Sequence, residues 1–232
     1  MTVAERLYAS PTEAAQGLAG AVAKALTDAL TARERASLVV SGGRSPIEFF
    51  HRLRDAALDW TRVWITLADE RWLPPTDPDS NAGLVQQHLL QGAAAAAHFV
   101  PLWNGAATPA AAIAERTVAL ATLPQPFDAV VLGMGEDGHT ASLFPYAAGI
   151  ETAIDPRGPA RLAAIDPPAA PYPRLSLTVA ALLGSRHLHL PLAGATKRAV
   201  YARALADCDP LRLPVAAMLC QTAVPVTVYL SP

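Results

Sequence analysis

The sequence predicts an α/β fold: one doubly wound domain over residues 1–232, built on a mainly parallel sheet. Two observations carry this expectation. Short runs such as ASLVV (36–40), VWITL (63–67) and DAVVL (128–132) are predominantly apolar without alternation, as strands covered on both faces are. The stretches between them are long enough for helices and several carry helix-start signals, so strand and helix alternate along the chain. A chain of 232 residues with 52% hydrophobic and 16% charged residues can bury one large core, which excludes a disordered polymer.

The elements follow in order. Ser10, Pro11 and Glu13 spell a helix start, with Ser10 as cap, Pro11 at the first helical position and Glu13 closing a capping box; the helix runs to about Leu30. Ala36 to Val40 is a strand, Ser41 to Gly43 a tight turn, and Pro46 opens a helix through about Arg54. A second strand, Val63 to Leu67, enters the acidic, Pro-rich loop ADERWLPPTDPDSN, ending at Asn81, most simply a cap for a helix over Ala82 to Leu90. The alanines at 93–97 read as a helix end or loop, Phe99 to Leu102 as a short strand, Pro109 to Leu120 as a helix, and Asp128 to Leu132 as a strand entering GMGEDGH. After a Pro-rich irregular stretch, Leu162 to Ile165, Leu175 to Thr178, Leu188 to Leu192 and Val226 to Leu230 read as strands.

Composition removes several function classes. The formal charge is −2, without the basic surplus that binding a nucleic-acid backbone requires. No run approaches the 18 or more apolar residues of a membrane span, and Glu5 and Arg6 stand where a signal peptide needs an apolar core. Cys208 and Cys220 are too few for a disulfide framework and lack CxxC spacing, so a reduced compartment is the default and neither receives a role. The expectation is a soluble cytoplasmic protein with no nucleic-acid or membrane partner, as a monomer or small homo-oligomer. Of 18 cationic residues only Lys24 and Lys197 are lysines.

In open α/β sheets ligands bind beyond the carboxyl ends of the strands, and four segments there stand out. SGGRSP (41–46) puts two glycines between a strand and a helix, where backbone N–H groups form an anion cradle; it lacks the Lys-Ser/Thr ending of a nucleotide P-loop, so a small metabolite's phosphate suits it. Gly133, Gly135 and Gly138 satisfy GxGxxG, but Glu136 and Asp137 stand where a pyrophosphate would sit and Pro145 cuts short any following helix. The acidic partner expected about 20 positions on could only be Asp155, in a Pro/Gly loop. What remains is a sharp turn presenting His139 beside Asp137, a natural general base with a carboxylate to hold its tautomer. Asp69, Glu70 and Arg71 follow the second strand as either a solvated loop run or a group positioning a polar substrate and its developing charge. Arg174 before one strand and Lys197 after another can close a phosphate site. His187 and His189 alternate on a strand with no carboxylate nearby and read as strand surface or core, not metal ligands.

Taken in order, SGGRSP (41–46), ITLADERWLPPTDPDSN (65–81), FDAVVLGMGEDGHTASLFP (127–145), RLSLT (174–178) and GATKR (194–198) resemble the 6-phosphogluconolactonases of the glucosamine-6-phosphate isomerase/deaminase-like superfamily. The resemblance runs through nearly the whole chain, and implies a Rossmann-like fold and hydrolysis of 6-phospho-D-glucono-1,5-lactone to 6-phosphogluconate in the oxidative pentose phosphate pathway, without metal or organic cofactor. It implies that His139 activates water with Asp137 orienting it, that Arg71 and Asp69 line the sugar end, and that Ser41, Gly42, Gly43, Arg44, Ser45, Arg174 and Lys197 hold the phosphate. Position 44, commonly a small hydroxyl residue in related turns, is Arg here. A lactone is already a reactive ester, so a base and charge stabilisation suffice without a covalent nucleophile; there is no GxSxG elbow, and Ser142 has no partner that argues for one. Two alternatives are weighed. The sister deaminases carry an acid five residues after the histidine and an aromatic after DE, where this chain has Phe144 and Arg71. A non-catalytic sugar-phosphate sensor would be expected to have lost His139 or Arg71 and to carry an effector domain.

Overall fold

The computed structural model describes residues 3–43, 45–168 and 170–232; the expectation for Arg44 lies outside the described residues. In chain order the elements are β1 (Val3–Leu7), α1 (Pro11–Ala32), β2 (Ala36–Val40), α2 (Ile47–Arg54), β3 (Val63–Leu67), β4 (Asp69–Arg71), α3 (Asn81–His88), β5 (His98–Val100), α4 (Pro109–Leu120) and β6 (Ala129–Val131). The remainder are α5 (Ile150–Ile154), β7 (Leu162–Ile165), β8 (Arg174–Leu177), α6 (Val179–Leu182), β9 (Leu188–Ala193), α7 (Ala195–Asp207), α8 (Ala216–Leu219) and β10 (Val226–Ser231). Among the described residues no helix is long and apolar enough to cross a membrane.

Seven strands form a parallel sheet in the order β1-β10-β9-β6-β2-β3-β5. Every residue of β2 and β10 is buried, which is why their sequences run apolar without alternation. The helix α1 starts as its residues dictate: the Ser10 hydroxyl accepts the Glu13 N–H at 3.2 Å, and the Glu13 carboxylate reaches back to the Ala9 N–H at 3.2 Å. It buries Ala14, Leu18, Ala19, Val22, Leu26 and Ala29, a stripe at three- and four-residue spacing, against one face of the sheet. The opposite face meets α7, whose Tyr201 hydroxyl donates to Glu5 of β1 at 2.7 Å. The sheet is thus covered on both sides, as the sequence predicts. His189 lies in that core with its ring nitrogen Nδ1 2.9 Å from the Tyr229 hydroxyl, and burial holds its pKa down at about 3. The structural reading of His189 is the one that fits.

Three features differ from the sequence reading. The edge strand β1 was not foreseen, because VAERL carries two charges; on an edge those charges face solvent and discourage further pairing. The DER segment is the strand β4, which joins β8 and β7 in a separate three-stranded antiparallel sheet. Finally, Cys208 and Cys220, expected as thiols in a reduced compartment, are joined in a disulfide. Cys208 ends α7 in the left-handed region at φ 48°, which turns the chain so that α8 returns Cys220 to a Cα separation of 5.9 Å. A spacing of 12 residues says nothing of that return path.

Position in the sheet explains where the site forms. From β2 the chain winds outward through β3 to β5, then comes back to place β6 on the other side of β2. The turns after β2 and β6 therefore flank the point where the winding reverses, and a crevice opens there at the carboxyl ends of the strands.

Candidate active site

A cavity of about 400 Å³ occupies that crevice. Each of the four segments singled out from the sequence reaches it: Ser41, Gly42, Gly43 and Ser45 from the turn after β2; Asp69 and Arg71 from β4; Gly133, Gly135 and His139 from the turn after β6; Lys197 from the first turn of α7. Arg174, the first residue of β8, lines it as well. Asp137 does not line this cavity; it stands behind the His139 ring, on a neighbouring recess with Glu136 and Phe144.

The His139 turn is held from inside. The Gly135 N–H donates to the His139 carbonyl at 2.9 Å, and the Gly138 N–H donates to the Gly135 carbonyl at 3.0 Å. A methyl group added at Gly135 would collide with the imidazole and with Asp137 Oδ1. The middle glycine of the GxGxxG pattern is therefore a seat for the histidine ring, not an approach for a pyrophosphate. His139 Nδ1 lies 2.6 Å from Asp137 Oδ1. An ionised carboxylate only accepts, so in the neutral ring the proton sits on Nδ1 and the lone pair on Nε2. Burial pushes the Asp137 pKa up, but the hydrogen bonds and charge of His139 outweigh it and hold the carboxyl below its ordinary value. The other side of the ring rests on Phe144, with centroids 4.5 Å apart.

Asp69 and Arg71 alternate with Glu70 on β4, so the outer two face the cavity while Glu70 points the other way and is fully buried. Ser142 Oγ donates to Asp69 Oδ2 at 2.5 Å, and its own N–H donates to Ser176 Oγ at 3.2 Å. A buried hydroxyl so engaged anchors the Asp69 carboxylate. Arg71 Nη1 donates to the Asp79 carbonyl at 2.7 Å, while its buried Nε has no partner among the described residues. Arg71 pairs in register with Arg174 across β4 and β8. The Arg174 guanidinium donates to the carbonyls of Tyr172 at 3.2 Å and Pro171 at 2.9 Å, and burial lowers its pKa. Lys197 makes no hydrogen bond or ion pair among the described residues, in contrast to Lys24, which pairs with Asp28 on the solvated face of α1.

Asn81 corrects the sequence reading. Ser80 caps α3, its hydroxyl accepting the Gly83 N–H at 3.1 Å, and Asn81 is the first helical residue. Its amide donates to the Asp69 carbonyl at 2.9 Å and packs so closely under Gly42 that a methyl group there would collide with it. Glycine at 42 is required by this approach, and glycine at 43 by its φ of +87°. Asn81, Ser142 and Glu70 escaped the sequence reading because each acts across the fold; only the strand alternation of DER hinted at the third.

Comparison with known proteins agrees with this geometry in extent. A family model described as glucosamine-6-phosphate isomerases/6-phosphogluconolactonase matches residues 9–227. A 6-phosphogluconolactonase of Pseudomonas aeruginosa is 45% identical over 229 residues, covering 98% of this chain and 94% of that protein. One from Rhizobium meliloti is 41% identical over 232 residues, covering 100% of both. Among solved structures, a 6-phosphogluconolactonase from Shewanella baltica superposes with a TM-score of 0.96 at 41% identity, over 99% of this chain and 98% of that one.

Proposed function

The chain belongs to the glucosamine-6-phosphate isomerase/6-phosphogluconolactonase family, and from that premise we propose that it hydrolyses 6-phospho-D-glucono-1,5-lactone to 6-phosphogluconate. The observation that carries this reading is His139, fixed through Nδ1 by Asp137, on a cavity also lined by Arg71, Arg174 and Lys197. Two guanidinium groups paired directly across strands repel each other, and a phosphate or a developing oxyanion between such groups relieves that cost. Lys197, which lines the cavity and has no partner among the described residues, is a donor available to it.

In the proposed step, water forms a bond to the lactone carbonyl carbon while His139 Nε2 takes its proton. The bond from that carbon to the ring oxygen then breaks, and the imidazolium returns the proton to the departing oxygen. Asp137 stabilises the imidazolium between these events, and Arg71 and Asp69 bear on the sugar end. The Ser41–Gly43 turn with Ser45, Arg174 and Lys197 hold the phosphate. A positioned base contributes about 10² to 10⁴ in rate. Phe144 beside the histidine supplies no proton-carrying group, which weighs against ring-opening deaminase chemistry. On this reading the enzyme works within the oxidative pentose phosphate pathway, consuming the product of glucose 6-phosphate oxidation.

The test generates the lactone in place with glucose-6-phosphate dehydrogenase and follows its loss above the spontaneous rate, with ammonia release from glucosamine 6-phosphate measured in parallel. Accelerated loss without ammonia is expected. No acceleration, or ammonia release instead, overturns the assignment.

A further inference from the structure

Glu70 is a carboxylate at the heart of this region that does not line the cavity. It is fully buried, and its side chain accepts the N–H groups of Asn81 and Ala82, each at 2.7 Å, and of Arg71 at 2.9 Å. A carboxylate held in this way ties the first turn of α3 to β4 with charge-assisted hydrogen bonds. The residue it seats there is Asn81, whose amide is wedged beneath Gly42 and bonded to the Asp69 carbonyl. The contacts link Glu70 to the backbone of Asn81, the Asn81 side chain to Gly42, and both Asn81 and the Gly42–Gly43 turn to the cavity.

We propose that Glu70 is a positioning residue, which acts through Asn81 to hold the glycine turn after β2 in the shape that receives the substrate's phosphate. The proposal rests on the reading of the cavity as a sugar-phosphate site. A purely structural cap would account for the buried bonds to α3, but not for the placement of the capped residue's side chain against the turn. The two roles separate experimentally, because a cap affects stability alone whereas a positioning residue affects phosphate recognition.

The variants are Glu70→Gln, Asn81→Ala and the double substitution. Glutamine keeps the volume but turns an N–H₂ toward backbone donors. Glu70→Gln is expected to raise KM for the phosphorylated lactone about tenfold, the equivalent of one lost hydrogen bond, with kcat little changed and no effect on unphosphorylated gluconolactone. Asn81→Ala should do the same, and should keep the proposal testable if Glu70→Gln does not fold. Because both act along one path, the double variant should be no worse than the worse single one. Multiplying effects, or a Glu70→Gln protein that is merely less heat-stable with an unchanged KM, would overturn the proposal. Amide hydrogen exchange provides a readout independent of turnover: protection should fall at Ser41 and Gly133 as well as at Asn81 and Ala82. Should the unmodified protein show no lactonase activity, the functional reading fails while this measurement still decides the clamp; loss confined to Asn81 and Ala82 refutes it.

Discussion

The Asp137 carboxylate grips His139 twice through a single oxygen: Oδ1 accepts the backbone N–H at 3.1 Å and meets ring Nδ1 at 2.6 Å. The first contact sets the turn and the second sets the tautomer, so the residue that shapes the loop also directs Nε2 to be the basic nitrogen. Replacing His139 by Ala is expected to lower kcat by about 10² to 10⁴ while 6-phosphogluconate still binds, as calorimetry would show. Asp137→Asn should lose about 10² in kcat, less than the base itself. Near-wild-type turnover in the His139→Ala protein rejects the base assignment.

Gly135 provides a second route to the same residue. Its missing side chain is what the imidazole rests against, so Gly135→Ala should displace the ring and lower kcat at least about tenfold with little change in KM. A crystal structure of the variant with His139 unmoved, or unaltered kcat, contradicts this account.

Lys197 reads as a phosphate contact because it lines the cavity and has no partner among the described residues. Lys197→Ala should raise KM for the phosphorylated lactone about tenfold or more, as loss of a charge-assisted bond does. The penalty should shrink as salt is added, because screening weakens the contact that was removed. A variant that keeps its full preference for phosphorylated over unphosphorylated gluconolactone speaks against the assignment.

Burial raises the Glu70 pKa to about 7 despite the backbone bonds that favour the anion, with Asp69 adding to the rise. Arg71 lies next to it on β4, Arg174 faces from β8, and Asp79 precedes α3. Between the ordinary value of 4.5 and about 7, the folded protein holds a proton that the unfolded chain has released. Stability from this group is therefore full below the lower value and is lost as pH rises through the upper one, by an amount on the order of 3 kcal/mol. Urea unfolding at pH 5 and pH 8 should show wild type losing stability relative to Glu70→Gln over that interval. A parallel pH dependence in the two proteins would count against it.

Several parts of the fold were legible because they are set locally. The Ser10–Pro11–Glu13 helix start and the predominantly apolar runs of β2 and β6 each depend on residues a few positions apart. The same holds for the His139–Asp137 pair, two residues apart within one turn. DER is singled out in the sequence as a loop run, and its being a strand is not legible because three residues are too few for alternation to register against a charged composition. Asn81 reads as a cap from its place at the loop's end, whereas the cap is its neighbour Ser80; both offer the same chemistry and only the backbone path chooses between them.

By itself the sequence determined the alternation of strands and helices, the four segments that end on the cavity, and the chemistry each brings. Tertiary structure decided which of their atoms meet. Ser142 reaches Asp69 across 73 positions, Glu70 reaches the α3 backbone across 11 and 12, Arg71 stands opposite Arg174, and Cys208 finds Cys220. The physical reason is range: caps, turns and periodicity act between near neighbours, whereas these contacts follow from the order in which crossovers lay strands side by side and from their register. Winding that reverses between β2 and β6 opens the crevice, and the antiparallel pairing of β4 with β8 brings its cationic wall together.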